Sequence, residues 1–225
     1  MNKTRSIAVA GRQPIKPQLS QLARKALLDA LQPGSRERSA QMPPLRVEAA
    51  TTPTAPRHLA AAQGGNAATR EQQAASYDTC LRTYRDIARA QDGAPDADDV
   101  GAVMAFFVAI NLHALHGADI EAQALQPLER QLRGLTRLAA QWDIATLAQR
   151  QFFFERIAIV SILMSRSLAD ARGAPAAMAD VRRSAREYLQ HVLGLNPDLV
   201  TLSDSGLVLR DMAGGRAATA TPVHA

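Results

Sequence analysis

The chain has 225 residues, 47% of them apolar and only 4% aromatic, with alanine and leucine prominent; this composition suits packed helices better than sheets. The net charge of +5 is unevenly spread: residues 1–65 hold ten Lys/Arg against three Asp/Glu, and residues 66–210 fifteen against seventeen, which argues against a nucleic-acid surface on the folded part. A single cysteine, Cys80, excludes an intrachain disulfide, and no apolar run approaches the ~20 residues that would cross a bilayer.

The chain opens on a basic stretch, Met1 to Arg5, followed by an apolar run of four residues that is too short for a secretory signal. No signal peptide is expected in the chain as it stands. It would be cytoplasmic by default, or exported if translation starts further upstream. In Leu19–Leu31, Leu19, Leu22, Ala26 and Ala30 share a stripe, with Leu27 and Leu31 beside it, so an amphipathic helix is expected there, ended by Pro33-Gly34. Residues 32–66 hold Pro33, Pro43, Pro44, Pro53 and Pro56 and three glycines, and read as a disordered linker. Residues 1–66 are therefore expected to form a flexible basic arm, 67–210 the folded domain, and 211–225 a disordered tail.

Within the domain, Tyr77, Leu81, Tyr84 and Ala88 repeat at helical spacing, predicting a helix from about Ala67 to Gln91. The next helix runs from Asp98-Asp99, which offer N-cap oxygens, to Gly117, which suits a left-handed stop. It is apolar all round, so it belongs at the centre of a bundle. Small residues at Gly101, Ala102, Ala105 and Ala109 would let neighbours come close. Pro127 suits the first position of a third helix carrying Leu128, Leu132, Leu135 and Leu138. Asp143 is the expected cap of a fourth helix that reaches Asp170 and joins the second at the centre. A fifth runs from about Ala176 to Gly194, and Ser203–Gly206 is a turn that folds Leu207 and Leu209 back. The fold expected is all-α, an up-and-down bundle of about five helices.

Tyr84-x-x-Ile87-Ala88, Phe106-Phe107-x-x-Ile110-Asn111-x-His113-x-x-x-Gly117, Leu128-x-x-Gln131-Leu132, Gln151-x-x-x-Glu155, Tyr188-Leu189, Leu193-Gly194 and Leu202-x-x-x-Gly206-Leu207 together form a pattern. Over roughly residues 75–210 it resembles an uncharacterised bacterial family, a domain of unknown function in small, often exported helical proteins. The resemblance implies a helical fold and no particular activity.

Five polar residues interrupt the apolar helices and form the candidate cluster: Asn111, His113, Gln131, Gln151 and Glu155. Glu155 lies on the stripe of Ala158 and Ile162, so its carboxylate needs a donor, and Asn111, His113, Gln131 or an arginine could supply one. An internal hydrogen-bonded network is the first expectation, and a small polar site between helices the alternative. His113 and His116 stand three apart and with Glu155 could share a metal. They lack the His-Glu-x-x-His pattern, and no metal, cofactor or catalytic residue is expected. Arg130, Arg133 and Arg137 on the third helix, and Arg182, Arg183 and Arg186 on the fifth, read as solvated faces because acids are interleaved.

These features point to a non-enzymatic interaction module with a protein partner, without nucleic-acid binding or a transmembrane segment; its oligomeric state is not legible. The alternatives are an enzyme or small-ligand-binding protein using Asn111, His113 and Glu155, and an exported effector with a disordered N-terminal secretion segment.

Overall fold

Residues 45–48, 52–90, 97–117 and 122–209 are described by the computed structural model of the chain. They form seven helices and a small hairpin: α1 (Ala55–Gln63), α2 (Ala67–Ala90), α3 (Val100–His116), α4 (Ala122–Leu138), α5 (Ala140–Ile144), α6 (Leu147–Asp170), α7 (Pro175–Leu193), β1 (Val200–Ser203) and β2 (Gly206–Leu209). The fold is mostly helical. Among the described residues no helix is long and apolar enough to cross a membrane.

The bundle is built around α3. Val100, Val103, Phe107 and Val108 are fully buried, and α3 packs against α4, α6 and α7. Gly101 is what permits the α3–α4 contact: a methyl there would stand 2.9 Å from both Arg133 Cβ and the Glu129 carbonyl oxygen. Asp99 caps α3 by accepting from the Gly101 and Ala102 N–H groups, and Gly117 ends it at φ 68°. α6, with Phe154, Ile157, Ala158 and Ile159 buried, completes the centre between α2 and α3.

Four expectations need correction. The stretch read as linker contains α1, whose Ala55, Leu59 and Ala60 are buried against α2 and α6. Proline and glycine content misled because Pro56 occupies the first turn, where its missing N–H costs nothing, and Gly64 and Gly65 make the turn into α2. α4 begins at Ala122, one turn ahead of Pro127. The buried stripe of Ala124, Leu128, Leu132 and Leu135 continues through the proline and outweighs one lost backbone bond. Trp142-Asp143 lies inside α5, and the cap of α6 is Thr146, which forms a reciprocal capping box with Gln149. Arg133, read as part of a solvated face, is buried and ion-paired. The expected helix at Leu19–Leu31 and the tail 211–225 lie outside the described residues.

The hairpin closes the bundle against α4. β1 and β2 pair antiparallel with Ser203 opposite Gly206 and Leu202 opposite Leu207. Leu207 and Val200 are buried, so one face of the hairpin joins the core.

Candidate functional site

Glu155 sits two turns into α6, 1% exposed. Its Oε2 accepts from the Thr54 and Ala55 backbone N–H groups, both at 2.9 Å. Its Oε1 accepts from Gln151 Nε2 at 2.6 Å, one turn back on the same helix. The first N–H groups of α1 have no partner within their own helix, and Thr54 at the N-cap makes no side-chain cap of its own. The carboxylate supplies that cap from across 101 residues of chain. A negative charge also complements the positive end of the α1 dipole, so these donors and the dipole together balance the burial of Glu155. The donors therefore differ from the four kinds expected: two backbone amides and a glutamine.

The other members of the sequence cluster are spent elsewhere. Asn111 is buried in α3 and its Nδ2 donates to the Phe107 carbonyl at 2.7 Å, one turn back. Its Oδ1 meets no donor among the described residues. Gln131 faces the hairpin, with Nε2 donating to the Leu207 carbonyl at 3.0 Å and Oε1 accepting from the Leu207 N–H at 2.9 Å. The side-chain amide thus acts as a third strand for one residue. Gly206, at φ 95°, leaves it room, since a methyl there would stand 2.8 Å from Gln131 Oε1. His113 is half-buried and His116 exposed in the last turn of α3. Of the five, Gln151 and Glu155 are joined to one another by a hydrogen bond. Among the described residues no three His, Cys, Asp or Glu side chains gather as a metal-binding group.

A second carboxylate centre escaped the sequence reading except for its cap. Asp99, 0% exposed, accepts from the Gly101 N–H at 2.6 Å and from the Leu45 N–H at 3.1 Å. Arg133 Nη2 lies 2.9 Å from Asp99 Oδ2 and also pairs with Glu129, one turn back on α4. Beside it, Arg85 pairs with Asp98 at 2.9 Å. Burial pushes the Glu129 carboxyl up, with Arg133 working against the rise. Burial, reinforced by Asp99, Glu129 and Asp98, pushes the Tyr84 phenol well above its ordinary range. The signals available were the Asp98-Asp99 pair ahead of an apolar helix and the i, i+4 spacing of Glu129 and Arg133.

A cavity of about 40 Å³ opens beside this centre, with Tyr84, Ala88, Ala105, Phe106, Leu125 and Glu129 among its lining residues. That volume accepts a few waters at most.

Residues 2–210 match the profile of DUF6683, a family of unknown function. The chain belongs to this family. The match starts far ahead of residue 75, so the N-terminal part falls inside the family's span together with the bundle. No curated protein and no solved structure matches the chain.

Proposed function

We propose that this DUF6683 chain is a non-enzymatic helical interaction module whose partner is a protein. The observation that supports this reading is the state of the Glu155 carboxylate. A general acid or base needs a lone pair or proton within reach of a substrate. Both Glu155 oxygens are engaged by protein donors, and the residue is closed off from solvent. The alternative site would also need Asn111 to face Glu155, and Asn111 turns to its own helix. The slightly acidic balance of residues 66–210 favours a protein partner over a nucleic acid.

Chemical unfolding at neutral pH tests the reading. Glu155→Ala leaves three donors without their acceptor and is expected to lose about 2–4 kcal/mol. Glu155→Gln keeps one acceptor oxygen and is expected to lose less, about 1–2 kcal/mol. A working carboxylate held at the expense of the fold would behave in the opposite way. Either variant matching or exceeding the wild type in stability would overturn the proposal.

A further inference from the structure

Two polar groups are left without a hydrogen-bond partner on the wall of one cavity, the notch beside the Asp99 centre. It lies between α2, α3 and α4, and Ile87 in its lining is 38% exposed, so it reaches the surface. Glu129 lines it with a half-used carboxylate. Its Oε1 pairs with Arg133, while Oε2 meets no donor among the described residues. Tyr84 lines it as well. That side chain is 2% exposed, yet its hydroxyl has no hydrogen-bond partner among the described residues. Buried polar groups are normally paired, so two such groups in one notch mark a place for a ligand that donates hydrogen bonds.

The electrostatics of the notch favour a cation. Asp99 and Glu129 share the guanidinium of Arg133. Arg130, which also acts on Glu129, is exposed, so water and salt screen it. Arg85, which acts on Tyr84, is itself paired with Asp98. The Tyr84 and Phe106 rings, 5.8 Å apart, both belong to the lining, and aromatic rings attract a cation through their quadrupoles. Ala88, Ala105 and Leu125 add apolar wall, which suits methylenes better than a hydrated metal ion. Size then selects the cation. The volume of about 40 Å³ is far below the roughly 300–1,000 Å³ of a site for a whole small molecule. It holds roughly three water-sized groups, enough for an ammonium and the last methylenes of a side chain. A guanidinium is a broad planar fork, whereas an ammonium is a compact point charge with three donors.

We propose that the notch between α2, α3 and α4 is a binding site for a lysine side chain of the partner protein, whose ammonium donates to Glu129 Oε2 and the Tyr84 hydroxyl oxygen while its stem lies against Phe106 and Leu125. This rests on the reading of the chain as a protein-binding module and deepens it. The slightly acidic balance of residues 66–210 complements a basic partner segment. Glu155 takes no part, so the stability test of Glu155 and the binding test of the notch can fail independently.

The test titrates n-butylammonium chloride into the isotope-labelled full chain at neutral pH and constant ionic strength, with backbone amide shifts as the readout. Saturable shifts are expected at Ala102, Ala105 and Phe106. The uncharged n-butanol is expected to give none. Nα-acetyl-lysine amide, which carries the same ammonium on a peptide backbone, is expected to shift the same amides. Glu129→Gln keeps an acceptor for Arg133 but removes the charge, and is expected to weaken binding about tenfold. Asp143→Asn, which removes an exposed acid on α5, is expected to leave it unchanged. Should Glu129→Gln fail to fold, Tyr84→Phe removes only the hydroxyl and is expected to weaken binding severalfold. Absence of saturable shifts, equal binding of n-butanol, or full affinity in either notch variant overturns the proposal. So does binding of n-butylammonium without Nα-acetyl-lysine amide, which would assign the notch to a free small amine.

Discussion

Asp99 and Glu155 are both buried carboxylates at the head of a helix, and the protein balances their charge in two ways. Asp99 caps the helix that follows it and meets a guanidinium, so its surroundings are an ion pair set in a ring of further charges. Glu155 caps a helix distant in sequence and, among the described residues, meets neutral donors. In the first case removing the acid takes one of its two carboxylates from a buried cation. In the second it leaves uncharged N–H groups that a water can partly satisfy. The difference fixes how much each site resists substitution, and it identifies Glu155 as the joint that attaches α1 to the bundle.

The largest effect is expected at the charged centre. Asp99→Ala strips the α3 cap and takes one of two carboxylates from the buried Arg133, and should cost about 3–5 kcal/mol in urea unfolding. Adding Glu129→Gln and Arg133→Met to it should recover part of the loss, because the remaining buried charges of the centre go together. A triple variant no more stable than the single one would mean that the ion pair is not what distinguishes the two sites. Gln131→Ala removes a neutral clamp from partly exposed hydrogen bonds, and about 1 kcal/mol is expected, with faster hydrogen exchange confined to the hairpin.

The smallest effect at neutral pH belongs to the tyrosines, which acquire their influence in alkali. Burial raises Tyr77, Tyr84 and Tyr188, the three tyrosines of the chain, above the ordinary 10.0. A raised folded-state pKa contributes stability that is complete below 10.0 and is lost as the pH climbs through the folded value. Absorbance at 295 nm should therefore show little tyrosinate in the native protein at a pH where the unfolded chain is half ionised. Tyrosinate appearing at the unfolded value without loss of the fold would contradict the burial of these rings.

The two carboxylates also differ in how far the sequence disclosed them. The Asp99 cap was legible because its donors, Gly101 and Ala102, lie two and three residues away. That Glu155 needed donors was legible from its place on an apolar stripe. Their identity was not, because Thr54 and Ala55 belong to a stretch rich in Pro and Gly, and a cap between distant segments leaves no local spacing to read. Pro56 followed by Leu59, Ala60 and Gln63 was nevertheless a helix-start signal. The apolar centres of α3 and α6 were legible, and so were the stops at Gly117 and Gly194, where one residue decides the boundary; the start of α6 was not. The hairpin was seen only as a turn. The alternation of Val200 and Leu202 with Thr201 and Ser203 around a two-residue loop was short, and a helical reading of its surroundings overrode it.

Hydrogen exchange at the start of α1 tests most directly whether Glu155 is that joint. In the wild type, the Thr54 and Ala55 amides should exchange slowly, because each donates to a buried carboxylate. In Glu155→Ala, those two amides and the rest of α1 should exchange far faster, while the centre of α3 around Phe107 stays protected at mild temperature. Unchanged exchange at Thr54 and Ala55 in that variant would contradict the account.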